Sequence, residues 1–243
     1  MDLGKQQDKQ KTGNSLVGAG LNFATKEAYK LLRTNLMFSF SNEGEGRVVG
    51  VTSAVQNEGK SVTACNVAYA LAEAGARVLL LEGDLRKPTV ATKMRLAKSL
   101  GLTNVLVSRM DVEEVIQPSE MISGLDVITS GDIPPNPSEL LGSNRMAKML
   151  EHLRKKYDYI IADLPPVTAV SDTLAISPCL DGVVLVVRSG ISEKKALSEV
   201  MRQLKMVGVR ILGFVYHADN GGKKPYRRGY HRYYSEYIKK HEK

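Results

Sequence analysis

Two hydrophobic rhythms alternate along the chain. Short, unbroken apolar runs at 48–53, 77–81, 125–129, 159–163, 182–187 and 210–216 are rich in Val, Ile and Leu, as strands covered on both faces are. Between them, apolar residues recur at helical spacing. The first such segment opens with Thr25 as the expected N-cap and sets Ala28, Leu31, Leu32, Leu36 and Met37 on one side. A second runs from Lys60 to about residue 74. A third is expected from a Ser138 cap to 156, and a fourth from a Ser192 cap to 206. Residues 89–124 read as two short helices, about 91–99 and 111–117, broken at Gly101 and Pro118. The three prolines of 131–137 stiffen a loop.

The ends of three apolar runs carry the chemistry. The run at 48–53 breaks into Ala54-Val55-Gln56-Asn57-Glu58-Gly59-Lys60-Ser61. This is Gly-x4-Gly-Lys-[Ser/Thr], the phosphate-cradling P-loop, with Ala54 in place of the first Gly. Successive loop N–H groups and the positive end of a helix dipole converge there on a polyphosphate. Asn57, Glu58, Gly59, Lys60, Ser61 and Val62 are therefore the expected ATP-binding residues. Lys60 brings a mobile charge to the β and γ phosphates, and Ser61 offers a hydroxyl to Mg2+.

Downstream, 77–81 ends in Glu82-Gly83-Asp84-Leu85-Arg86-Lys87-Pro88, and 159–163 ends in Asp163. Asp163 is the expected Walker B carboxylate. Glu82 and Asp84, two residues apart, fall on the same side of an extended segment. Glu82 is assigned with Ser61 and Asp163 to the metal, and Asp84 to the acceptor hydroxyl. Lys60, Asp84 and Asp163 then form the catalytic set for phosphoryl transfer. Arg86 and Lys87 either neutralise charge or form salt bridges.

Strands alternating with helices give a mostly parallel central sheet with helices on both faces, a three-layer α/β domain of P-loop NTPase-like type. Ligands in such sheets sit beyond the carboxyl ends of the strands, where all three motifs lie. The expected division is a flexible arm at 1–22, the catalytic domain at 23–218 and a flexible, Tyr-rich tail at 219–243.

Length and composition narrow this further. At 243 residues there is room for one α/β domain. No apolar run approaches the roughly 18 residues of a bilayer span, and the first residues lack a signal peptide's apolar core. Cys65 and Cys179 stand alone, which implies neither zinc site nor redox dithiol, and both read as small buried fillers. A cytoplasmic protein is expected. Of the net charge of +8, eight basic residues against two acids place +6 within residues 221–243. The same stretch holds Tyr226, Tyr230, Tyr233, Tyr234 and Tyr237, half of the ten tyrosines. Arg and Tyr together also suit an amphipathic or nucleic-acid-binding tail. Beside a phosphoryl-transfer site the tyrosines instead read as acceptors, with no nucleic acid expected. Five phosphotyrosines would add about −7.5 to −10 charges and invert the tail's sign.

With those residues in view, the chain closely resembles the bacterial protein-tyrosine kinases (BY-kinases), specifically the stand-alone cytoplasmic type of Gram-positive capsule and exopolysaccharide operons. The resemblance spans about 23–237. It rests on the Ala54–Ser61 loop, the segments 80–88 and 160–166, Pro134-Pro135-Asn136-Pro137-Ser138-Glu139-Leu140-Leu141 and the tyrosine cluster. The Glu27-x2-Lys30-x2-Arg33-x-Asn35-Leu36 helix looks like the family's oligomerisation motif. The resemblance implies ATP-dependent tyrosine autophosphorylation between subunits of a ring that disassembles once the tails are modified. It also implies a separate transmembrane activator, a polysaccharide co-polymerase that recruits the kinase to the inner face of the membrane, and an opposing tyrosine phosphatase. Four positions depart from the family pattern. Glu82 stands for an Asp, Gln56-Asn57 for Pro-Gly and Lys30 for an Arg, and His217 stands where related ATPases often present an Asn. A MinD/ParA-like placement ATPase shares the sheet and the acidic strand ends. It carries, however, a second lysine early in the loop, where this chain has Val55, and it lacks the tyrosine tail.

Overall fold

The computed structural model describes residues 17–40, 44–97, 99–108 and 110–218. Seven strands form one sheet in the order β3-β4-β2-β5-β1-β6-β7. They are β1 (Arg47–Ser53), β2 (Val78–Glu82), β3 (Gln117–Pro118), β4 (Leu125–Ile128), β5 (Tyr159–Asp163), β6 (Gly182–Arg188) and β7 (Ile211–His217). Every pairing is parallel except that of the short edge strand β3 with β4.

The central strands are apolar throughout because both faces are covered. In β2, Val78 and Leu80 join the core beneath α1 (Phe23–Phe38) and α2 (Lys60–Glu73), while Leu79 and Leu81 join the opposite core. That second core is roofed by α4 (Leu102–Val107), α6 (Asn144–Arg154) and Ile176 of α7 (Asp172–Ile176), and α8 (Lys194–Met206) covers β6 beyond it. Each fully buried Leu contributes roughly 1.5–3 kcal/mol, so a strand with two covered faces gains from every side chain. The three-layer arrangement expected from the alternation is the one present.

Local differences have local causes. The N-cap of α1 is Asn22, whose side chain accepts from the Thr25 N–H at 2.9 Å, so Thr25 is inside the helix. Val17 and Gly18, assigned above to a flexible arm, are buried on the domain, where the Gly18 N–H donates to the Asn66 side chain. Within 89–124 the helices are α3 (Val90–Met94) and α4, followed by a single 3-10 turn at Val112–Val115. Gly101 starts α4 rather than ending a helix, since a Cβ there would lie 2.2 Å from the Thr129 carbonyl oxygen. The long helix expected over 138–156 is two, α5 (Pro137–Leu141) and α6, the latter capped by Ser143. Cys65 is fully buried and Cys179 only partly so.

Candidate active site

The parallel register brings β1, β2 and β5 to a common end: Asp163 lies opposite Val51 on one side and Glu82 on the other. The P-loop leaves β1 there and enters α2 at Gly59. Two loop residues have a left-handed backbone, Asn57 at φ 65° and Gly59 at φ 98°. Asn tolerates that region better than most side chains, which explains how Asn57 serves where the family has Gly. Ala54 is buried and is not among the left-handed residues, so no glycine is required at the loop's start.

Every segment of the loop is held from outside or across itself. The Thr168 hydroxyl donates to the Ala54 carbonyl at 2.6 Å, and Ser53 Oγ donates to that of Val55 at 2.7 Å. Lys87 Nζ donates to the Gln56 side chain, and Arg188 donates to the Asn57 carbonyl. Glu58, fully buried, accepts from the Val55 N–H at 2.7 Å and from the Ser192 hydroxyl. His217 fills the space beside Gly59, with Nε2 2.9 Å from the Thr63 hydroxyl. Burial and the nearby Arg188 charge lower the His217 pKa.

Lys60 reaches across to Asp84, Nζ to Oδ2 at 2.7 Å, with both side chains nearly covered. Burial works against the ammonium, but the fields of Asp163 and Asp84 outweigh it and the Lys60 pKa rises. The second Asp84 oxygen accepts from the Lys87 N–H at 3.0 Å. Asp163 is fully buried and neither of its oxygens accepts a hydrogen bond. Burial lifts its pKa to about 6, although Lys60 and the nearby Ser61 hydroxyl, short of a formed bond, favour the charge.

Two carboxylates thus face one ammonium, and one of them has both oxygens idle. A divalent cation fits that deficit, since Mg2+ keeps most of its waters and needs only one or two protein oxygens. Among the described residues no cluster of three His, Cys, Asp or Glu forms a complete metal cage. Asp163 and the Ser61 hydroxyl are the groups that could hold such an ion.

Glu82 behaves differently from the expectation that paired it with Asp84. Its Oε1 accepts from the Thr89 and Val90 N–H groups at 2.5 and 2.6 Å, and its Oε2 from the Ser130 N–H at 3.0 Å. β2 ends at Glu82, so the two-residue alternation no longer applies beyond it and the two acids diverge. Burial raises the Glu82 pKa against the pull of those three amides. Its side chain ties β2 to the start of α3 and to the end of β4. Arg86 forms a salt bridge, the second of its two expected uses. Its guanidinium pairs in fork geometry with the fully buried Asp172, at 2.8 and 3.0 Å, and Ser138 also donates to that carboxylate. No role at the site was legible in the sequence for Ser138, Thr168, Asp172, Arg188 or Ser192, because each acts on the loop or its rim across a long chain separation.

A cleft of about 140 Å3 opens between Asn57, Lys60, Asp84, Arg86 and Pro166. Pockets that enclose a whole ligand hold roughly 300–1,000 Å3, so this one is too small to enclose a whole nucleotide. A larger cavity of about 680 Å3 lies between Val17, Tyr69, Arg95 and Pro118 and shares no lining residue with it. That cavity touches neither the P-loop nor Asp84, so the candidate site is the smaller one.

On α1, Glu27 and Lys30 pair at 2.8 Å and Arg33 donates to the Ala70 carbonyl of α2. The tyrosines 226, 230, 233, 234 and 237 lie outside the described residues.

Comparison with known proteins agrees with this geometry. Residues 47–211 match the AAA domain family. The chain is 38% identical over 234 residues to the tyrosine-protein kinase YwqD of Bacillus subtilis, covering 96% of each protein. The chain belongs to the bacterial tyrosine-protein kinases. The solved kinase domain of the Escherichia coli tyrosine kinase ETK is similar with a TM-score of 0.77 at 33% identity, over 84% of this chain and 80% of that one. The Pyrococcus horikoshii septum site-determining protein MinD, solved with Mg-ADP, has a TM-score of 0.61 at 22% identity, over 70% of each chain. At that distance it speaks for the shared nucleotide-binding fold alone. This kinase is accordingly an enzyme of the P-loop type, and no described helix is long and apolar enough to cross a membrane.

Proposed function

We propose that this kinase transfers the γ-phosphoryl group of ATP, with Mg2+, to tyrosine hydroxyls, first of all to those of its own C-terminal cluster on a neighbouring subunit. The observation that carries the reading is the Lys60–Asp84 pair lining one small cleft at the P-loop, with the field of the buried, idle Asp163 carboxylate reaching Lys60 from behind it. Bound Mg2+ would supply charge neutralisation at the β and γ oxygens. Lys60 leaves Asp84 for the γ-phosphate, and Asp84, so released, accepts the proton of the attacking tyrosine hydroxyl. The new bond forms from phenolic oxygen to phosphorus as the bond to the β-phosphate oxygen breaks, with ADP as leaving group. Arg86, fixed by Asp172, keeps a positive charge at the rim of the cleft without competing for Asp84.

The tail of Tyr226, Tyr230, Tyr233, Tyr234 and Tyr237 is reachable because about 25 residues extend roughly 80 Å. Self-association into a ring through α1, around Glu27, Lys30 and Arg33, would present each tail to the next cleft. Phosphorylation would reverse the tail's charge and dissolve the ring. A membrane activator at the inner face, a tyrosine phosphatase and control of capsule or exopolysaccharide synthesis complete the proposal. Intact-mass spectrometry with Mg-ATP and the activator tests it. The wild type should gain successive phosphates, and Lys60→Met or the five Tyr→Phe replacements should gain none. A tail-free product carrying the same label would refute the acceptor assignment.

A further inference from the structure

The turn between β6 and α8 breaks a local rule. Ser192 stands where it would cap α8, yet the helix begins at Lys194 with Glu193 as its N-cap residue and no side-chain capping bond. Such a cap normally stabilises a helix. Ser192 instead donates to Glu58 in the P-loop and accepts from the Arg188 N–H at 2.7 Å. Glu58 breaks a second rule, being a fully buried carboxylate whose hydrogen-bond partners are a backbone N–H and this one hydroxyl. Burying a carboxylate without a countercharge is costly, and a stability argument favours neither arrangement. Where sequence and structure forgo stability at two touching residues, function is the usual reason.

We propose that Ser192 and Arg188 are positioning residues for nucleotide binding, Ser192 acting through Glu58. The Glu58 carboxylate holds the Val55 N–H and so shapes residues 55–58. Arg188 fixes the left-handed Asn57 from the same turn by donating to its carbonyl at 3.2 Å. The loop is thus held ready by the end of β6 and the turn before α8, with the Val55 amide already engaged before a phosphate arrives. Without the Ser192 hydroxyl, Glu58 loses a donor and turns toward water, and residues 55–58 must be ordered again at each binding event. That ordering costs conformational entropy, which shows as weaker binding.

The proposal rests on the reading of the P-loop as the nucleotide site, and its test avoids the acceptor tyrosines. Calorimetry of the full chain with Mg-ADP measures the loop alone, so a chain that binds Mg-ADP normally and transfers nothing separates a failure of the kinase assignment from a failure here. Ser192→Ala should weaken Mg-ADP binding about tenfold, raise KM for ATP correspondingly and leave kcat at saturating ATP within about twofold. Ser192→Thr, which keeps the hydroxyl, should restore most of the affinity. In a Glu58→Gln background Ser192→Ala should cost little more, because the shared contact is already altered. Unchanged affinity in Ser192→Ala, or an equal tenfold loss in both backgrounds, would overturn the proposal. A drop in unfolding midpoint with unaltered affinity would do the same, since it marks a purely structural contact.

Discussion

Replacing Asp163 by Asn removes a carboxylate that is fully buried, accepts no hydrogen bond and sits between β1 and β2. In the metal-free chain its pKa is lifted from 3.8 to about 6, chiefly by burial. An unfolded Asp titrates near 3.9, and each tenfold gain in proton affinity is worth about 1.4 kcal/mol, so ionising Asp163 in the folded state costs about 3 kcal/mol. The sign follows from proton counting. Between about pH 4 and pH 6 the folded state holds this proton more tightly than the unfolded one, so the contribution to stability is present below pH 4. It is lost as the pH rises through 6. The variant has no such proton, and Lys60 retains Asp84 at 2.7 Å as a partner. Urea unfolding in the presence of EDTA, followed from pH 4 to pH 8, should show the variant gaining on the wild type by about 3 kcal/mol across that window. Taking the difference between the two proteins removes the other titrating groups. Mg-ATP should reverse the order at pH 7.5, because it stabilises only a chain that binds it. A difference independent of pH would refute the desolvation argument, and equal stabilisation by Mg-ATP would remove Asp163 from the metal site.

Glu82→Ala should lower unfolding free energy by about 3–5 kcal/mol, since two buried N–H groups and a partly buried one lose their acceptor; a loss below about 1 kcal/mol by urea titration would mean that water replaces the side chain. Asp172→Ala should cost about 2 kcal/mol, less than a fully buried pair, because Arg86 is 42% exposed and rehydrates. Its turnover with Mg-ATP should also fall, which Arg86→Lys should reproduce by losing the fork geometry, and unaltered turnover in both would confine the pair to a structural task. Glu27→Ala combined with Arg33→Ala should yield monomers by light scattering, and an unchanged mass would remove that face of α1 from any ring contact.

Two kinds of information were readable in the chain with unequal success. Strand positions were legible because a strand covered on both faces must be apolar at consecutive positions, a demand that 78–81, 160–162 and 183–186 all meet within a few residues. The irregular stretch 89–124 was not, since its boundaries depend on a backbone approach: Gly101 is needed by the neighbouring Thr129 and Gly131, and nothing local to Gly101 records that. Helix caps failed for a related reason. Ser138 and Ser192 have the right residue type at the right place, but their hydroxyls serve Asp172 and Glu58, partners 34 and 134 positions away.

The division of labour among the acids follows the same logic. Spacing alone made Glu82 and Asp84 a pair, whereas the fold gives one to backbone amides and the other to Lys60. The longer reach of Glu lets Oε1 meet two N–H groups at the start of α3 while Oε2 still meets Ser130; an Asp, shorter by one methylene, would have to forgo one end of that bridge. Glu82 is therefore what this chain requires if the bridge is to stand, and Asp84 is left with Lys60 as its partner. In the proposed transfer Lys60 exchanges its 2.7 Å contact with Asp84 for the γ-phosphate. On that proposal the arrival of ATP would free the Asp84 carboxylate, so an acceptor tyrosine would meet an active base only when there is a phosphoryl group to receive.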